Sequence, residues 1–112
     1  MLRPIFLGGF EDEQDLISEF SLEASLLERV HIIFADYDLQ DEEGEAFVLF
    51  EDRGTLYEIH AFYCECDGLE GQWLPEECDY GTLSFRLQRS DVLKDHREEI
   101  LENLKKVKIS WE

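Results

Sequence analysis

The sequence predicts an α+β fold, a small antiparallel sheet of three or four strands with N-terminal and C-terminal helices packed on one of its faces, built as a single domain over residues 1–112. Apolar residues recur at helical spacing near both ends of the chain, at 12–29 and 90–107. Compact β-branched and aromatic runs lie between them at 30–37, 46–50 and 55–63. A hydrophobic content of 44%, with eight Phe, four Tyr and two Trp, is enough for one core and sets the chain apart from disordered acidic sequences, which are poor in such residues.

The opening segment, MLRPIFLGGF, is a broken apolar run, far short of the ~20 residues of a membrane span and unlike a signal sequence. Neither export nor membrane insertion is expected, and the odd count of three Cys fits reduced thiols in a cytoplasm better than a disulfide framework. From Asp12 to Arg29, Leu16, Ile17, Phe20, Leu26 and Leu27 stand among acidic residues, which predicts one or two short amphipathic helices, with Ser21 available to cap the second. VHIIFADY (30–37) and AFVLF (46–50) read as strands joined by the acidic turn DLQDEEGE, and a third strand, Thr55 to Tyr63, follows the turn at Asp52, Arg53 and Gly54. Residues 64–81 lose periodicity and read as an ordered loop with three Gly and one Pro. TLSFRL (82–87) alternates and reads as a fourth strand, after which Ser90 or Asp91 caps a helix through about Lys106 with Val92, Leu93, Ile100, Leu101, Leu104 and Val107 on its apolar side.

With 28 acidic and 10 basic side chains the net charge is −18. Solubility asks for roughly −2 to −8 in a domain of this size, so the excess requires another explanation. A charge of this sign repels nucleic acid and anionic membrane and attracts basic protein surfaces. Glu11, Asp12, Glu13 and Asp15, with Asp36, Asp38, Asp41, Glu42, Glu43 and Glu45, are the candidate partner-binding residues, a phosphate-mimicking edge on a folded body. The second group does not follow the order of a calcium-binding loop, which leaves a solvated acidic loop as its other reading.

His60, Cys64, Cys66 and Cys78 match in number and type the ligands of a closed, structural zinc site, with His31 as a competing fourth ligand. Two obstacles stand against it. Cys-x-Cys on an extended strand separates the thiols by nearly ~7 Å, so the chain must turn at Glu65, and His60 lies ~13 Å from Cys64 unless the strand bends. The other reading is of partly buried free thiols beside a core histidine. No nucleophile elbow, phosphate-binding loop or zinc-hydrolase helix occurs, so no residue is assigned a catalytic role and binding without catalysis is expected.

YEIHAFYCECDGLEGQWLPEE, Tyr57 to Glu77, resembles a motif of small phage and prophage proteins through Tyr57, Glu58, Cys64, Cys66, Gly68, Leu69, Glu70, Gln72, Trp73, Pro75 and Glu76. It departs from that motif at Ala61, Phe62 and Tyr63, where the pattern has Gly-Ser-His, and at Cys78, where the pattern has no Cys. With its size and acidity, the chain is similar to anti-CRISPR proteins that inhibit Cas9. The resemblance implies a partner with a positively charged nucleic-acid channel, DNA loading blocked by occupation of that channel, and a cytoplasmic location in the host of a phage or prophage. Trp73 is then either an aromatic anchor at that interface or a core residue that pins the loop. The rival reading is a zinc-stabilised adaptor or structural protein whose acidity is incidental.

Overall fold

A computed structural model of the protein describes residues 2–40, 43–63, 68–107 and 109. In chain order the elements are β1 (Ile5–Gly8), α1 (Glu13–Phe20), α2 (Ala24–Arg29), β2 (His31–Gln40), β3 (Glu43–Asp52), β4 (Thr55–Phe62), β5 (Glu76–Glu77), α3 (Tyr80–Arg89), α4 (Asp91–Asp95) and α5 (Arg97–Lys106). The fold is α+β: the five strands form one mixed, mostly antiparallel sheet in the order β1-β2-β3-β4-β5, with only the β1–β2 pair parallel. A parallel pair needs a crossover rather than a hairpin, and α1 and α2 supply it.

The expected meander is present as β2, β3 and β4, with the first two strands longer than their apolar runs indicate. Their register holds one irregularity that shapes both faces. Ile32 pairs with Phe50 and Phe34 with Leu49, leaving Ile33 as an extra residue in a β-bulge. The bulge puts Ile33 and Phe34 on one face and returns Ile32, Ala35 and Tyr37 to the other. Strict alternation would have sent Phe34 to the face of Ile32.

Each face therefore carries its own apolar core, and the helices pack on both faces rather than on one. Leu16, Phe20 and Leu27 of α1 and α2 meet Tyr37, Val48, Phe50 and Ile59 on the first face, with Phe10 at ring-centroid distances of 5.0 Å from Tyr37 and 6.2 Å from Phe20. On the second face Leu83 and Leu87 of α3, Leu93 of α4 and Ile100 of α5 cover Ile33, Phe34, Leu49 and Leu56. The sheet is apolar on both sides, so neither helical layer alone would bury it.

Three local expectations are corrected. Ser21 does not cap the second helix; it closes α1 in the left-handed conformation with φ of 55°, while Asp12 caps the start of α1 by accepting from the Asp15 N–H at 3.2 Å. Residues 82–87 are the middle of α3, not a strand. Asp79 starts that helix by accepting from the Thr82 N–H at 2.7 Å, and the i, i+4 pair Leu83 and Leu87 is buried while Phe85, which a strand would place beside them, is 59% exposed. The helix expected from Ser90 to Lys106 breaks at His96 into α4 and α5, with the His96 ring 6.2 Å from that of Phe34.

The N-terminal strand was not signalled by the sequence, and backbone geometry explains what holds it. Gly8 has φ of +63°, and a Cβ there would lie 2.1 Å from the Tyr37 carbonyl oxygen, so only glycine lets β1 end against β2. Just before β1, the buried Asn103 of α5 accepts from the Arg3 N–H at 3.1 Å and donates to the Arg3 carbonyl at 2.8 Å. Among the described residues no helix is long and apolar enough to cross a membrane.

Candidate functional site

Charge is divided very unevenly between the two parts of this fold. Residues 1–85, which form the sheet, α1, α2 and the first half of α3, hold 22 acidic and three basic side chains; residues 86–112 hold seven basic and six acidic. Almost all of the excess negative charge thus belongs to residues 1–85, the part of the chain that carries the sheet and the first helical layer, and residues 86–112 are close to neutral.

Register places part of that charge where the second helical layer stops. On this face, Phe34, Leu49 and Glu58 form one cross-strand row, Asp36, Phe47 and His60 the next, and Asp38, Glu45 and Phe62 the last. The first row lies beneath α3, α4 and α5. Beyond it the rows open into a groove of about 360 Å³ between the sheet and Phe85, Arg89 and Val92 of α3 and α4. The Tyr63 N–H donates to the Gly44 carbonyl at 2.8 Å, which makes Glu45 and Phe62 a narrow, non-hydrogen-bonded pair whose side chains stand close together.

Two sets of interactions fix the chemistry beside the groove. Glu58 is buried and receives a two-pronged bond from Arg86, at 2.6 Å from Nε and 2.8 Å from Nη2. Burial alone would push the Glu58 carboxyl up, but the Arg86 fork, helped by His60 with its Nε2 at 3.4 Å, holds it below the usual glutamate value. Arg86 is therefore spent internally. His60 is exposed, with its ring 5.0 Å from that of Phe47. The half-buried Asp36 behaves in the opposite way: burial first and Asp38 second raise its carboxyl, against the smaller lowering effects of His96 and the Tyr37 backbone.

The sequence-derived residues divide on this map. Asp36, Asp38 and Glu45 come together in the groove. Asp41 and Glu42 lie outside the described residues, and Glu43 begins β3. Glu11, Asp12, Glu13 and Asp15 form a separate group at the start of α1, where Asp12 and Asp15 are engaged as caps, Asp15 accepting from the Glu11 N–H at 2.7 Å. Trp73 is half-buried against the first core, stacked on Phe50 at 5.4 Å and edge-on to Phe20 at 5.2 Å, which is the loop-pinning arrangement.

The four proposed zinc ligands are not seen together. Cys64 and Cys66 lie outside the described residues. Cys78 is buried beneath α3 in the second core, and its thiol is pushed up to about 12 by burial and by the neighbouring Glu58 carboxylate. Its backbone N–H bonds to Leu56, four residues before His60 on β4, and both side chains face Glu58. His31, the competing ligand, bonds through Nδ1 to Glu51 at 2.6 Å. Among the described residues no group of three or more His, Cys, Asp or Glu is arranged to hold a metal ion.

Sequence reading missed the aromatic half of the groove. By sequence pattern Phe47 and Phe62 read only as strand residues and Phe85 as part of a fourth strand. The available signal was Glu58 and His60 at alternate positions of an otherwise apolar strand, which marks that face of β4 as only partly covered. Comparison with known proteins finds no matching family model, no matching curated protein and no matching solved structure.

Proposed function

We propose that this protein acts by binding, not by catalysis, and that it occupies a positively charged protein surface which otherwise holds nucleic acid. The observation that carries the reading is the distribution of charge: 22 acidic against three basic side chains in residues 1–85, on a folded body with a sheet end that the helices leave open. A rigid array of carboxylates competes for a basic channel without the ordering cost that a disordered acidic tail would incur. The resemblance of residues 57–77 to a phage and prophage motif suggests the first partner to try, a Cas9-type nuclease whose channel holds a guide–target heteroduplex.

Competition binding tests this directly. Purified protein is titrated into guide-loaded Cas9 and fluorescent target DNA, and DNA loading is followed by anisotropy at several salt concentrations. Inhibition is expected to be stoichiometric in character and to weaken as salt rises, since screening reduces an interface dominated by charge. Unchanged DNA loading, for Cas9 and for other basic nucleic-acid-binding proteins alike, would overturn the reading. Salt-insensitive binding to a partner without a basic surface would favour the adaptor in its place.

A further inference from the structure

We infer that the groove at the open end of the sheet is an arginine-binding site, the point at which one guanidinium of the basic partner is recognised. This rests on the proposed function and names the chemistry of its contact. Three features converge on a guanidinium. Carboxylates of Asp36, Asp38 and Glu45 come from two adjacent strands in consecutive rows, so they approach a ligand from one side at different heights. Aromatic faces supply the other side: Phe62 is 61% exposed and Phe85 59%, an unusual exposure for two large rings at the rim of one cavity. The rim shows that stacking mode with its own side chain, since Arg89 lies over the Phe85 ring with its Cζ 5.4 Å from the centroid; as a like charge it must leave that ring for a ligand guanidinium to take its place, so Phe62 is the ring that the ligand meets first.

These groups select arginine over lysine on physical grounds. A planar guanidinium stacks on phenyl faces, is weakly hydrated and offers donors in a fixed fork to carboxylates on different strands. An ammonium group is a compact, strongly hydrated point charge and gains less from the rings. The volume of about 360 Å³ falls at the low end of the ~300–1,000 Å³ typical of small-ligand pockets, a size suited to one side chain and not to an extended segment. Arg86 does not oppose the ligand, since both prongs of its fork are engaged by Glu58.

The test uses the whole protein and two charge-matched probes, the capped tetrapeptides Gly-Arg-Arg-Gly and Gly-Lys-Lys-Gly, with binding followed by amide chemical shifts. The arginine peptide is expected to shift Phe62, Phe85 and Glu45 saturably and to bind at least threefold more tightly than the lysine peptide. Asp38→Asn/Glu45→Gln and Phe62→Ala should each weaken it about tenfold, whereas Glu98→Gln/Glu102→Gln, which removes the same two charges from α5, should change it less than twofold. All substituted side chains are surface groups, and circular dichroism checks that each variant is folded. Equal affinity for the two peptides, unsaturable shifts spread over every acidic residue, or equal losses in the groove and α5 variants would each reduce the groove to diffuse charge and overturn the inference. The competition assay separates the two levels: undiminished inhibition of DNA loading by Asp38→Asn/Glu45→Gln would sink the arginine site while leaving the basic-surface reading intact. Saturable, arginine-selective binding in a protein that never displaces DNA would do the reverse.

Discussion

The side-chain amide of Gln72 bonds both backbone groups of Phe62, its Oε1 accepting from the N–H at 2.9 Å and its Nε2 donating to the carbonyl at 2.7 Å. An amide side chain here does what a neighbouring strand would do. β5 pairs with Tyr57 and Glu58 alone, so Gln72 closes the far end of the β4 edge and, by a further bond of 3.0 Å to the Gly68 carbonyl, ties the loop to it. An edge left open there would be a template for pairing with another chain.

Gln72→Ala is accordingly expected to cost about 1–2 kcal/mol, the net worth of a pair of partly exposed hydrogen bonds. Hydrogen exchange is the more specific readout. The Phe62 amide should exchange much faster in the variant, while amides in the centre of β3 keep their protection relative to global stability. Unaltered exchange at Phe62 would mean that the amide pairing does not protect this edge.

Arg86 and Glu58 contribute stability that acid removes. Glu58 is 4% exposed and its carboxyl is held below the usual glutamate value, so its contribution is complete above that value and is lost as pH falls from it toward the lowered folded one. Arg86→Ala leaves a buried carboxylate without its main partner and should cost about 2–4 kcal/mol at neutral pH, the lower part of the range for broken buried pairs because Arg86 is itself partly exposed. Without the fork, burial raises Glu58, and protonation then relieves the variant. Urea unfolding from neutral to acidic pH should therefore show the two stability curves converging as pH falls; parallel curves would remove Glu58 from the acid transition.

Trp73→Ala should destabilise by about 2–3 kcal/mol, because the indole packs on Phe50 and Phe20 and its loss opens a cavity at the margin of the first core. Binding to a basic partner should fall by no more than the folded fraction does. A stable Trp73→Ala protein with a large loss of affinity would restore the indole to the interface.

Cys78 is expected to behave as a core residue. A thiol raised to about 12 and covered by α3 should be inert to alkylation in the native state at neutral pH and become reactive only when the protein unfolds. Cys78→Ser should cost about 1–3 kcal/mol by burying a hydroxyl, and zinc content measured on protein purified without a histidine tag should be the same in wild type and variant. One equivalent of zinc that disappears with Cys78→Ser would overturn the core assignment.

The meander was legible in the amino-acid sequence because its signals are local. The β-branched and aromatic runs of β2, β3 and β4 and the turn at Arg53 and Gly54 specify strands and a hairpin without reference to anything distant. The amphipathic stretches of α1 and α5 are local in the same way, and so is the acidity. Residues 82–87 were not legible, since Leu83, Phe85 and Leu87 satisfy a period of two as well as Leu83 and Leu87 satisfy a step of four. Only the cap from Asp79 and the second core beneath α3 decide between them. Four-residue β1 carries no period at all and exists because β2 offers it an edge and Gly8 allows the approach.

The groove belongs wholly to tertiary structure. Its carboxylates come from β2 and β3 and its rings from β2, β3, β4 and α3, so its composition depends on strand register, on the bulge at Ile33 that sets which residues face α3, and on where the helical layer ends. Sequence alone determined that the chain would fold around apolar strands and helices and carry a charge of −18, because those are sums and local periods over the residues themselves. The side of the sheet to which the charge turns, and the aromatic residues that stand beside it, were decided by long-range pairing, which no local pattern encodes.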